Sequence, residues 1–357
     1  MLQLKNTTPF EAGIALFPNE DGIDTLYVTL KATFEVGKTL TVAAKQRSIV
    51  LADEYWGEAG VSSLKYASEA HLSKPSTDVV LIGEVIAPDR RPVTQLDVTL
   101  AVADRKKVVR VFGDRVWENG LVGFRMTPPA LFEKMPLVYE RAFGGVHTIE
   151  PEKKEILFEP RNPVGCGFVG KRKKKEIQGM NLPNLEDPAH LISKPTDQPP
   201  PAGFGYFSPS WEPRKSFVGT YDEAWQKSRA PYLPKDFDAR FFNMAHPDMV
   251  CRGYLKGGEP VEVVNASPNG LLRFNLPTYQ VEAAVRVAGK IEKPPLNLET
   301  VLIEPSVATL CMTWRASLVC GKKAMKVERV ELVLQGLDVY PNESGLRNDS
   351  ERNASGW

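Results

Sequence analysis

The clearest pattern in the chain is strict alternation from Thr25 to Val36. Leu26, Val28, Leu30, Ala32, Phe34 and Val36 share one side, and Thr25, Tyr27, Thr29, Lys31, Thr33 and Glu35 the other. Successive side chains of a strand point to opposite faces, so this stretch predicts a strand with one face on a core and the other in water. Gly37-Lys38 supplies a turn signal, after which Thr39 to Ala43 can return as a hairpin partner. Further strands are expected at Val79 to Ile86, at Gln95 to Val102 and, after a turn at Asp104-Arg105, at Lys107 to Phe112. The first 145 residues therefore read as an antiparallel β unit.

Apolar periodicity nearly vanishes over residues 146–260, where 15 of the 29 prolines fall. Long ordered loops are expected there, with two short helices. Asp187-Pro188 offers an N-cap followed by proline at the first helical position, and Thr220 to Glu223 (TYDE) fits a capping box. The segment also concentrates Phe204, Tyr206, Phe207, Trp211, Phe217, Tyr221, Trp225, Tyr232, Phe237, Phe241 and Phe242. Disordered chains are poor in aromatics, so order is predicted. From Val261 alternation returns, in Leu271 to Leu276, Val281 to Val287, Leu298 to Glu304, Val307 to Val319 and Val327 to Leu334. The expected fold is mainly β, with antiparallel sandwich-like sheets, a long central proline- and aromatic-rich insertion and a few short helices. Its divisions are 1–145, 146–260, 261–340 and a polar tail at 341–357.

Composition sharpens this picture. Gly and Pro number 27 and 29, an excess that favours turns over long helices. Lys plus Arg (45) almost balance Asp plus Glu (44), so no global field steers the chain to nucleic acid or to an anionic membrane. No run of about 18 apolar residues occurs, and MLQLKNTTPF lacks the features of a secretory leader, so a cytoplasmic location without membrane insertion is expected. Cys166, Cys251, Cys311 and Cys320 form no C-x-x-C pair and are expected as free thiols.

Candidate chemistry is sparse. Gly165 to Gly170 (GCGFVG) spells a dinucleotide-binding pattern, but Pro160 and Pro163 precede it where a strand is needed and the basic run Lys171 to Lys175 (KRKKK) follows where a helix is needed. It reads as a glycine loop, and the basic run as a solvated loop that could touch an acidic protein face. His71, His147, His190 and His246 have no metal-ligand spacing. His246-Pro247-Asp248 matches the tripeptide of J-domains without the two long helices that carry it there. No G-x-S-x-G elbow occurs. Asp222, Glu223, Asp236 and Asp238 are the carboxylates that a glycosidase could use, and helix starts explain them more simply. No catalytic, cofactor or metal residues are assigned, and the chain is expected not to be an enzyme. The alternative is a β-sandwich hydrolase acting on carbohydrate or peptidoglycan.

Five motifs stand out in order: YERAFGG (139–145), PRNPVGCGF (160–168), LPNLEDP (182–188), PAGFGYFSPSWEPR (201–214) and GTYDEAWQKSRAPYLPKDFDARFFNMAHPD (219–248). Together they resemble a bacterial family, known as a domain of unknown function, that accompanies type VI secretion systems and includes effector adaptor/chaperones. The resemblance runs from the first strands to about Leu334. It implies a cytoplasmic protein that binds a toxic effector and helps load it onto a VgrG or PAAR-like spike protein, with no active site. KRKKK and the polar tail look peculiar to this chain.

A loader needs a recognition surface, and interfaces favour Trp, Tyr and Arg. Trp211, Arg214, Tyr221, Trp225, Arg229, Tyr232 and Arg240 are therefore the expected protein-binding residues, set against the possibility that the segment's aromatics form a small core holding the loops to the scaffold. Exposed strand edges are a second candidate surface, where an effector segment could add a strand.

Overall fold

The computed structural model describes residues 2–150, 152 and 155–338 of the chain. The expected tail at 341–357 lies outside the described residues. Over the described residues the fold is mainly β, with 43% strand and 11% helix, in several largely antiparallel sheets none of which closes into a barrel. The largest sheet runs in the order Glu11–Pro18, Asp24–Val36, Thr309–Val319, Asn297–Glu304, Asp78–Leu81, with Leu40–Val42 also paired to Asp24–Val36. A second sheet orders Leu185–Glu186, Arg105–Phe112, Gln95–Val102, Pro260–Val264 and Leu271–Asn275. A third orders Gln3–Asn6, Val327–Asp338, Thr278–Val287 and Lys290–Glu292. Each of the three contains strands from both ends of the sequence. Their apolar faces meet in one core that includes Leu30, Phe34, Leu100, Val109, Val263, Val285 and Leu332.

The alternation at Thr25 to Val36 locates its strand correctly, but its polar face up to Thr33 is not in water, and only Glu35 at its end is exposed. Thr25, Tyr27, Thr29, Lys31 and Thr33 are all buried, as are Thr313 and Arg315 on the neighbouring strand. Strand register explains how polar groups tolerate this. Lys31 stands opposite Thr313, Thr313 opposite Thr300, and Thr300 opposite Asp78, a polar row across four strands. The chain from Gln46 to Lys74 folds over that row. Glu69 accepts from Lys31 Nζ (2.7 Å), Thr313 Oγ1 (2.7 Å) and the Val50 amide (2.8 Å). Lys74 Nζ donates to Asp78 Oδ2 (2.6 Å) and Thr300 Oγ1 (2.8 Å). Arg315 donates to Glu299 (2.9 Å) and Thr29 (2.8 Å), and Arg47 pairs with Glu304, which also accepts from Tyr66 (2.7 Å). Buried ions persist only when paired and hydrogen-bonded, and here each cation has its carboxylate.

Other expectations shift in detail. Val79 to Ile86 is two strands, because the chain leaves the large sheet after Leu81 and Glu84–Ile86 pairs instead with Lys134–Pro136. Asp187-Pro188 begins a turn, with the Asp187 carboxylate accepting from the Ala189 amide, and no helix follows. The second helix spans Glu223–Ser228 and is capped by Asp222, not Thr220, because the Thr220 hydroxyl is engaged by Asp236 (2.7 Å). The basic run is partly helical, at Lys174–Ile177.

Candidate interaction surface

The five motifs interlock. Tyr139 lies edge-on to Phe207 (5.1 Å between centroids) and Trp211 (5.6 Å), joining the first motif to the fourth. Asn162 of the second motif is buried and donates to the carbonyls of Tyr139 (2.8 Å) and Phe143 (3.1 Å). Asn184 of the third accepts from Arg141 (3.0 Å) and donates to the Phe112 carbonyl (3.1 Å). Glycines are required where these segments cross. A Cβ on Gly144 would stand 2.0 Å from the Asn162 carbonyl oxygen, and one on Gly165 2.4 Å from Asn162 Nδ2. Close backbone approach thus accounts for the glycine spacing that resembles a dinucleotide loop. Beneath lies a second small core of Trp117, Phe143, Phe168, Ile177, Leu182 and Ile192.

The predicted binding residues divide. Trp211 (3% exposed) and Arg214 (5%) are buried, which corrects their assignment to a surface. Arg214 donates to the carbonyls of Phe207 (2.6 Å) and Phe241 (2.9 Å), and burial lowers its pKa to about 10. Both hold the segment to the core. Trp225 and Arg229 are half-buried. The Trp225 indole donates to the Tyr232 carbonyl (2.8 Å), and Arg229 reaches the Leu233 and Asp21 carbonyls (2.8 and 3.1 Å), fastening the loop to residues 20–21. Tyr221, Tyr232 and Arg240 are exposed, with Arg240 held by Asp238 (2.5 Å) over the Phe217 ring.

The carboxylates near them have local partners. Asp222 accepts from the Trp225 amide (2.8 Å), Asp236 from the Thr220 amide (3.0 Å), and Asp238 from the Arg240 amide (2.9 Å). The last two are held below the usual carboxylate range, chiefly by hydrogen bonds from Thr220 and Arg240. Burial pushes the thiols up, Cys166 to about 11 and Cys251 to about 12, which disfavours the thiolate a nucleophile needs. His246 is buried in a short turn, donating from Nε2 to the Pro201 carbonyl (3.1 Å) and accepting at Nδ1 from the Asp248 amide (3.2 Å). The His-Pro-Asp tripeptide is a structural clasp.

What the motif unit turns outward is a hairpin that sequence reading did not place. Val146–Glu150 pairs with Glu155–Phe158, and Val146 stands opposite Phe158, Thr148 opposite Ile156. Facing residues of a pair share a side, so Val146 (49% exposed), Ile156 (50%) and Phe158 (48%) form one apolar face in solvent. Beside it an open groove of about 500 Å³ is lined by Val61, Val146, Gly144, Gly165, Gly167 and Arg172. The opposite face is covered: His147 is buried and Leu157 packs on the small core. The run Glu155-Ile156-Leu157-Phe158 has strand-forming residues, but four residues beside a charged stretch give too short a period to read from sequence.

The sequence signature of a family described as uncharacterized protein conserved in bacteria, DUF2169, matches residues 21–315. The chain belongs to this family. The DUF2169 match takes in all five motifs, the exposed hairpin and the buried polar face as far as Arg315. No curated protein and no solved structure matches the chain.

Proposed function

We propose that this DUF2169 protein is a non-enzymatic adaptor/chaperone of the bacterial cytoplasm that binds a toxic effector and helps load it onto the VgrG or PAAR-like spike of a type VI secretion system. The observation that carries this reading is the hairpin face of Val146, Ile156 and Phe158, three apolar side chains each about half exposed beside a groove lined by motif glycines. Apolar clusters left in solvent by an otherwise well-packed fold mark sites of protein association. The ordered motifs support the particular system, through the resemblance they carry.

The test is deletion of the gene in its own strain, followed by measurement of effector solubility and secretion. The adaptor reading expects the neighbouring effector to become insoluble or to stay in the cell. An effector that is equally soluble and equally secreted without this protein overturns it. Stoichiometric retention of the protein in the assembled spike would instead make it a structural piece of the machine.

A further inference from the structure

We infer that the outer edge of the strand Glu155–Phe158 takes up an extended segment of a partner protein in which apolar and acidic residues alternate. This rests on the adaptor reading and adds the chemistry of the recognised segment.

The hairpin is a two-stranded sheet with unequal edges. Beside Val146–Glu150 the basic run is already docked: Arg172 donates to the Val146 carbonyl (2.9 Å), and the Lys171 amide donates to the His147 ring at Nδ1 (3.1 Å). No further strand pairs with Glu155–Phe158 among the described residues. Native sheets blunt such edges with proline or several charges, whereas this one carries no proline and one charged residue, Glu155. It is suited to strand addition, in which main-chain hydrogen bonds give affinity and side chains of alternate parity give selectivity.

The two faces fix that selectivity. One parity of an added strand lies beside Ile156 and Phe158 and continues their apolar face. The other parity lies on the side of Glu155 and Leu157, which is where the basic run sits. Lys171 Nζ is 3.5 Å from Glu155 Oε1, and Lys171, Lys173, Lys174 and Lys175 are exposed. Glu176 is directed back to the Lys173 amide (2.8 Å), and Arg172 is spent on main-chain carbonyls, which leaves Lys171 beside Glu155 and the other lysines of the run in solvent. Acidic side chains at the second parity are therefore favoured, and basic ones repelled.

The probe is a capped, fluorescein-labelled octapeptide of alternating valine and glutamate, titrated with the full chain by fluorescence anisotropy. Controls are the same residues in two blocks and a valine–lysine alternation. The wild type should bind the valine–glutamate alternation, with both controls weaker by about tenfold or more. Ile156→Asp and Phe158→Asp should each weaken it similarly with an unchanged melting temperature, and Lys171→Glu with Lys173→Glu should remove its salt dependence. Equal binding of all three peptides by the wild type overturns the inference. So does a dimer of this chain that Phe158→Asp abolishes, which would give the edge to a second copy. If the Phe158→Asp variant still holds the effector, this assignment fails while the adaptor reading stands. If the wild type holds no effector, the adaptor reading fails whatever the peptides do.

Discussion

Lys31 Nζ lies 2.7 Å from Glu69 Oε2, on the face of the central strand that alternation alone assigns to water. The pair sits in a layer of ions between the large sheet and the chain that crosses it, and Glu69 also receives Thr313 and the Val50 amide. Removing one partner of such a pair leaves the other buried and uncompensated. Lys31→Met should destabilise the protein by about 3–5 kcal/mol. Adding Glu69→Gln should recover part of that loss, as read from urea unfolding midpoints. Additive single losses would show that the two groups do not couple.

Glycine substitutions separate crossing points from turns. Gly60→Ala faces open space and meets only the left-handed backbone penalty, about 1–2 kcal/mol. Gly165→Ala must displace Asn162 and the Ala142 carbonyl, so its melting temperature should fall well below that of Gly60→Ala.

The aromatic segment should divide by mutation as it divides by burial. Trp211→Ala should cost about 3–5 kcal/mol. Tyr221→Ala, at an exposed ring, should stay within about 1 kcal/mol of the wild type in the same unfolding assay.

His246 gives a pH dependence. Burial, then Lys107, holds its pKa down at about 4, so the imidazole is neutral in the fold, whereas the unfolded chain takes up a proton below about 6.5. The unfolded state thus binds more protons between these values, and stability is full above pH 6.5 and lost as pH falls towards 4, by up to about 3 kcal/mol. Asp248, held below its usual range despite part-burial by its bond to Lys107, adds loss in the same direction at lower pH. His246→Gln should flatten the slope of unfolding free energy between pH 6.5 and 4.

Legibility in the sequence followed the physics of each signal. Strands such as Gln95–Val102 and Thr309–Val319 were readable because alternation persists long enough to exclude a helical period, whereas the eight-residue Glu11–Pro18 was not, since EAGIALFP does not alternate. The destination of their polar faces was not, since Lys31 and Arg315 look solvated until Glu69 and Glu299 arrive from distant parts of the chain. Trp211 and Arg214 misled for a related reason: the residues that suit an interface also suit a loop anchored to a core. The exposed hairpin went unread because both of its strands are short, and its apolar face exists only once Val146 and Phe158 are paired.

The central claim is that this DUF2169 protein holds an effector. Co-expression with the effector encoded beside it, followed by affinity purification of the full chain and measurement of bound effector, tests it most directly. The account predicts a soluble complex of fixed stoichiometry that Phe158→Asp and Ile156→Asp weaken without unfolding the protein. An effector that is soluble by itself and passes through the column unbound would contradict it.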